Sequence, residues 1–229
     1  MKEIFDSKFP GTHGGAVVLT GSKQQRYGGI QTRLVPCSTF KLVLSLVGLE
    51  SGVIPSAKTV WRWNGEQVGR PEWRKDMDLA VALQESSEWY FREVARKLGE
   101  KRLRSTLQEL NYGSGWKGKR PEDAWIDGSL TISPQEQAAL ASKLAMGSLP
   151  FAKEHQAVVR KSLLVQKTGK YALWGKTGSS AKDKNGRSLG WYVGAYTEGG
   201  QEIAFAIVRH LPDIIGPMVR EELVKRLTP

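Results

Sequence analysis

Strand-forming patterns occupy both ends of this 229-residue chain and helical patterns fill its middle, and that distribution most restricts the available folds. Near the start, Gly14-Gly15-Ala16-Val17-Val18-Leu19-Thr20 reads as a buried strand, with a short partner at 26–30 across a polar turn. After Lys170, the runs 171–178, 189–196 and 202–208 are rich in aromatic and β-branched residues. Asn185-Gly186 and Gly199-Gly200 sit between them as hairpin turns.

In the middle, apolar residues recur at helical spacing. A helix at 42–49 ends near Gly52 and Pro55, and a short one covers 76–83. The segment 88–98 sets Phe91, Val94, Ala95 and Leu98 on one stripe, with Gly99 as a stop, and a helix at 101–110 follows. Ser133 and Glu136 make a capping-box pattern for a helix at 134–146, and a last helix runs over 217–227. The expectation is an α/β (α+β) fold: an antiparallel sheet formed by both terminal regions, flanked by helices, with a mostly helical middle lobe and a cleft at the seam. No repeat or linker divides the chain. It reads as a single domain, 1–229, with a sheet lobe at about 1–35 and 168–229 and a helical lobe at about 36–167.

Two motifs carry chemistry. Pro36-Cys37-Ser38-Thr39-Phe40-Lys41 places a serine and a lysine three positions apart, at the head of the apolar run 42–47. On a helix these positions share a face, so the hydroxyl and the amine can meet. A serine needs a base to take its proton, and a lysine serves only as a neutral amine. Far downstream, Leu173-Trp174-Gly175-Lys176-Thr177-Gly178 supplies a second cation and a hydroxyl on a buried strand. Together they point to acyl transfer on an anionic amide. The same letters recur at Ser114 to Lys117, at Ser179 to Lys182 and at Lys167-Thr168-Gly169, among glycine, lysine and aspartate, as turn residues do. Taken alone, Ser38 reads equally well as a helix N-cap.

The net charge of +11 is spread over 97–104, 117–120, 161–170 and 182–187, with acids among several of these stretches. That argues against a nucleic-acid stripe and for a solvated basic surface, whose field would also draw in small carboxylates. Cys37 is the lone cysteine, so no intramolecular disulfide forms, and His13, His155 and His210 are too scattered for a metal site. No run is long enough to span a membrane, and Met1-Lys2-Glu3-Ile4-Phe5 lacks the apolar core of a signal peptide. The oligomeric state is open.

Other patterns match by letter and fail by context. Gly113-x-Gly115-x-x-Gly118 has dinucleotide-fingerprint spacing without a preceding strand or a following helix. Gly186-x-Ser188-x-Gly190 has nucleophile-elbow spacing but precedes the strand Trp191-Tyr192-Val193, so Ser188 belongs to a hairpin. Nothing local pairs His155 or His210 with an acid. Ser86-Ser87-Glu88 reads as a helix start, with serine as cap and Glu88 in the first turn.

The ordered motifs resemble the class D, or oxacillinase-type, serine β-lactamases and the related penicillin-sensing domains, from about Gly14 to Leu227. The residues that carry the likeness begin with Ser38-Thr39-Phe40-Lys41, Trp63-Asn64-Gly65 and Trp73-Arg74-Lys75-Asp76. They continue with Ser86-Ser87-Glu88, Trp125-Ile126-Asp127-Gly128, Leu173 through Gly178 and Gly190-Trp191-Tyr192-Val193-Gly194. The resemblance implies a β-lactamase/transpeptidase-like fold and a small-molecule β-lactam substrate. It implies that Ser38 becomes acylated and that Lys41 is the base, typically as a CO2-derived carbamate held by the Trp125 indole. Ser86 would relay protons to the leaving nitrogen. Lys176 and Thr177 would hold the substrate carboxylate with Arg220 as a second anchor, on a strand completed by Gly178. The N–H groups of Ser38 and Ser179 would form the oxyanion hole. No other cofactor is implied, and a periplasmic or secreted location is.

Two positions depart from that pattern. The family's hydrolases usually carry valine or isoleucine where this chain has Glu88, and the sensors often carry asparagine. Tyr112-Gly113-Ser114 replaces the family's Tyr-Gly-Asn. A Glu88 directed into the site would repel an anionic carbamate and favour a Lys41 ammonium; one directed outward would leave the carbamate intact. A hydrolase is therefore expected, with a sensor that stays acylated, or a peptidoglycan transpeptidase, as alternatives.

Overall fold

The computed structural model describes residues 14–67, 69–168 and 171–227. Six strands form one sheet: β1 (Gly14–Thr20), β2 (Lys23–Gly28), β3 (Leu164–Thr168), β4 (Tyr171–Ser179), β5 (Arg187–Glu198) and β6 (Gln201–Pro212). Their order is β2-β1-β6-β5-β4-β3, with every neighbouring pair antiparallel. The N-terminal hairpin thus docks on the last strand, and both ends of the chain complete the sheet. The helices are α1 (Lys41–Glu50), α2 (Leu79–Glu85), α3 (Glu88–Glu109), α4 (Pro134–Met146), α5 (Lys153–Ser162) and α6 (Gly216–Leu227). No described helix is long and apolar enough to cross a membrane.

Strand alternation divides the core. Ala16, Val18, Tyr192, Ile203, Phe205 and Ile207 cluster with Val219 and Leu223 of α6 on one face of the sheet. Val17, Trp191, Val193, Ala204, Ala206 and Val208 face the other way and join the helical side, including Leu42, Leu46, Phe91 and Leu144. Because both faces are covered, β5 and β6 read as nearly continuous apolar runs rather than alternating ones. Each large side chain buried there contributes about 1.5–3 kcal/mol.

The structure adjusts several expected boundaries. β2 starts earlier than 26–30, directly after a turn in which Gly21 takes φ +56°. Gly99 kinks α3 at φ 71° and ψ 169° instead of ending it, so 88–98 and 101–110 form one bent helix. The capping box forms: the Ser133 hydroxyl accepts the Glu136 N–H at 3.3 Å, and Glu136 accepts the Ser133 N–H at 2.8 Å. Two elements were not expected, α5 and the edge strand β3. Lys167 and Thr168 end β3 instead of lying in a turn, whereas Gly169 and Lys170 lie outside the described residues, as do the segment from Met1 to Phe5 and His13.

Candidate active site

The turn that carries Ser38 is a short 3-10 segment, Cys37–Phe40, leading straight into α1. Cys37 adopts φ 51°, a left-handed conformation that costs a β-carbon residue on the order of 1–3 kcal/mol and persists only where the surroundings impose it. Three contacts impose it here. The Trp191 indole donates to the Val35 carbonyl at 3.0 Å, the Thr39 hydroxyl donates to the Pro36 carbonyl at 2.6 Å, and the Gln137 amide of α4 donates to Thr39 at 2.6 Å. On the sheet side, a Cβ at Gly178 would lie 3.1 Å from the Pro36 carbonyl and 3.2 Å from Cys37 Cβ, so β4 packs directly on this turn.

Ser38 and Lys41 meet. Lys41 Nζ lies 3.0 Å from Ser38 Oγ, 2.7 Å from the Ser86 carbonyl and 3.2 Å from Ser86 Oγ. The lysine is 1% exposed, with the Trp73 and Phe91 rings each 5.7 Å from its nitrogen. Burial in these apolar surroundings lowers its pKa from 10.5 to about 7; Glu88 pulls it up, and Arg70 pushes it down further. Ser86 is not the helix cap of the simpler reading. It ends α2 in the left-handed region at φ 57°, and Ser87 is the residue that precedes α3. Lys176 Nζ donates to Ser86 Oγ at 2.9 Å, so this hydroxyl stands between the two lysines. Lys176 is 2% exposed, and burial followed by the nearby Lys41 charge holds its pKa well below the usual lysine range.

A cavity of about 670 Å³ opens onto these groups. Ser38, Lys41, Ser86, Glu88, Trp125, Thr177, Gly178 and Ser179 all line it, with Arg70 and Trp73 on one wall and Ile215 and Pro217 on another. Trp125 is fully buried and stacks on Phe40 at 6.2 Å. Ser179 Oγ accepts the Gly216 N–H at 2.9 Å, which ties the end of β4 to the start of α6. Arg220 is placed differently from the other expected residues. It lines a neighbouring hollow of about 230 Å³ with Lys176 and Thr177, and the two hollows meet at Thr177.

Glu88 takes both expected roles at once. It stands in the first turn of α3 and faces the cavity, and its carboxylate is held by Arg92 at 3.3 Å. Arg92 also binds Asp123 at 2.9 Å. The pull of Glu88 toward a Lys41 ammonium is present but smaller than the burial effect, which holds the amine below the usual lysine range.

The decoys resolve on structure. Ser188 is buried on β5 and its hydroxyl donates to the Ile214 carbonyl at 2.6 Å. Both described histidines have acid partners, neither of them local: His155 meets Glu50 at 2.8 Å and His210 meets Asp183 at 3.0 Å. Each acid is distant in sequence, and neither pair lies along the cavity. Among the described residues no group of three His, Cys, Asp or Glu could hold a metal ion. Sequence reasoning missed Arg70, an exposed loop arginine without any local motif.

The fold and this cluster define a serine–lysine acyl-transfer domain. The family model for the penicillin binding protein transpeptidase domain matches residues 12–227. The probable β-lactamase YbxI of Bacillus subtilis (strain 168) is 34% identical over 193 residues, covering 82% of this chain and 71% of that protein. The regulatory protein BlaR1 of Bacillus licheniformis is 33% identical over 199 residues, 84% of this chain but only 33% of the regulator. Among solved structures, the class D β-lactamase FUS-1 (OXA-85) from Fusobacterium nucleatum subsp. polymorphum superposes with a TM-score of 0.88 at 32% identity, covering 99% of this chain and 94% of that one. The C-terminal domain of the Bacillus licheniformis BlaR penicillin-receptor gives 0.87 at 30% identity, covering 99% and 92%. The chain belongs to the penicillin binding protein transpeptidase domain family, in the group that contains the class D β-lactamases and the BlaR sensor domains.

Proposed function

We propose that the protein opens β-lactams through an acyl-enzyme on Ser38 and hydrolyses that ester. The observation that carries this reading is the 3.0 Å approach of Lys41 Nζ to Ser38 Oγ, in a setting that holds the amine at about 7. Near neutral pH much of Lys41 is then a free amine able to accept a proton. Ser38 Oγ attacks the lactam carbonyl carbon and its proton passes to Lys41. The carbonyl oxygen becomes an oxyanion, received by the backbone N–H groups of Ser38 and Ser179; one such donor is worth about 3–4 kcal/mol. The C–N bond then breaks, and the leaving nitrogen takes a proton through Ser86, which touches both lysines. Lys176 and Thr177 receive the substrate carboxylate, and Arg220 adds its charge from the adjoining hollow.

A buried, near-neutral amine in a cavity that Trp125 also lines suits addition of CO2, and a carbamate on Lys41 would supply an anionic base for the deacylating water. Glu88 supports a second reading. Its carboxylate faces the same cavity and disfavours a second anion there, which would leave the protein acylated as a penicillin sensor. The family resemblance supports action in the periplasm or outside the cell.

Nitrocefin turnover with and without added bicarbonate, together with intact-mass measurement of the protein, separates these readings. Sustained turnover that bicarbonate stimulates is expected. A stoichiometric burst with a long-lived Ser38 adduct assigns the protein to the sensors, and the absence of both turnover and adduct overturns both readings.

A further inference from the structure

Arg70 overhangs the cavity that holds Ser38, and local packing dictates its place. Its guanidinium carbon sits 5.0 Å from the centre of the Trp73 ring. Trp73 is itself fixed: its indole donates to the Glu85 carbonyl at 2.9 Å, and its own carbonyl accepts the Trp89 indole at 2.6 Å. The chain reaches Arg70 through Gly69, at φ +67°, where a Cβ would fall 1.9 Å from a Trp73 ring carbon. Only glycine lets the backbone lie this close over the indole.

The charge on Arg70 is uncommitted. The residue is exposed and, among the described residues, makes no ion pair. The other cation on the cavity wall, Lys41, is shifted to about 7, and Lys176, in the adjoining hollow, is also held well below the usual lysine range. Glu88, the acid on that wall, is held by Arg92. A stacked guanidinium keeps its full charge and presents a planar fork suited to a carboxylate.

We propose that Arg70, stacked on Trp73, forms a subsite for a carboxylate carried on the acylamido side chain of a β-lactam, so that the protein prefers side-chain-anionic substrates over their neutral counterparts. The subsite rests on the Ser38 reading above. It differs in role from the Lys176, Thr177 and Arg220 cluster, which receives the ring carboxylate common to all these compounds, although Thr177 lines the same cavity and Arg70 acts on Lys176.

The test compares carbenicillin, whose side chain carries a carboxylate, with benzylpenicillin, which lacks it. The second-order rate of Ser38 acylation is read for both compounds as kcat/KM where the protein turns over and by intact mass where it stays acylated, so the test serves a hydrolase or a sensor equally. In Arg70→Ala the carbenicillin-to-benzylpenicillin rate ratio should fall about fivefold, the scale of a partly exposed ion pair, and in Arg70→Glu it should fall further. Arg70→Lys should restore part of the ratio, and raising the salt from 0.1 to 1 M should shrink the wild-type ratio, since the screening length drops from about 10 to about 3 Å. A ratio that is the same in wild type, Arg70→Ala and Arg70→Glu overturns the subsite alone. Equal loss with both compounds would show that Arg70 holds the ring carboxylate instead, and also overturns it. A wild type that acylates with neither compound overturns the Ser38 reading and the subsite with it.

Discussion

The same four-residue pattern, serine followed three positions later by lysine, occurs at Ser38 to Lys41 and at Ser179 to Lys182, and the two regions behave in opposite ways. Lys41 lies inside the helix start, 1% exposed, with its nitrogen on Ser38 and Ser86. Lys182 lies in a polar loop beyond β4, its side chain 59% exposed and paired with Asp213 at 2.5 Å. Spacing alone therefore makes no base. What sets Lys41 apart is the apolar run after Ser38, which buries the lysine and takes away the solvation an ammonium needs. Lys182 keeps its solvation and pairs with an acid, as surface lysines do.

Removing the two lysines gives the largest contrast. Lys41→Met should lower the Ser38 acylation rate by about 10²–10⁴, the range for a general base, whereas Lys182→Met should leave acylation and stability near wild type. The Lys41 variant should not be less stable. A lysine whose pKa is depressed from 10.5 to about 7 destabilises the fold increasingly as pH drops through that window, and methionine removes that penalty. Thermal melts at pH 7 and 10 check the sign: the gain of Lys41→Met over wild type should be larger at pH 7.

A smaller effect tests the support of the nucleophile turn. Gly178→Ala pushes a methyl against the Pro36 carbonyl and Cys37 Cβ at 3.1 and 3.2 Å, so the turn must shift by a few tenths of an ångström. Displacement of a nucleophile on this scale should slow acylation by about tenfold, short of the roughly 10²-fold cost of a full ångström, and a stopped-flow burst rate measures it. Smallest is the response of Glu88→Val. Losing the carboxylate removes an interaction that raises the Lys41 pKa and an anion that opposes a carbamate. Bicarbonate-stimulated turnover should rise by a few-fold, and no change would place Glu88 outside the chemistry.

Much of this arrangement was legible in the chain because it rests on local pattern. The terminal strands carry apolar runs buried on both sides of the sheet, and Ser133 with Glu136 spells its helix cap directly. Where pattern fades, the reading failed. α5 has no side-chain cap at Ala152 and few apolar positions, and β3 is a short edge strand with Leu164 42% and Val165 41% exposed. Gly99 leaves the helical backbone at φ 71° and ψ 169°, but the continuing chain returns to helix, so the sequence could not separate a kink from an end. The posture of Glu88 depends on Arg92 and on Asp123, the latter brought in from a loop beyond α3, and the histidine partners come from acids 105 and 27 residues away. Such pairings exist only after the fold forms. Arg70 acquires meaning only through the indole beneath it.

The neutral amine at position 41 is most directly tested by the pH dependence of Ser38 acylation by benzylpenicillin in wild type and in Lys41→Met, read as kcat/KM where the protein turns over and by intact mass where it stays acylated. Below the lysine pKa the rate should rise about tenfold per pH unit and level off above about 7, the value set by burial, and the variant should lack this limb. A wild-type limb that keeps rising beyond pH 9, or a variant with the same profile as wild type, would contradict the assignment of Lys41 as the base.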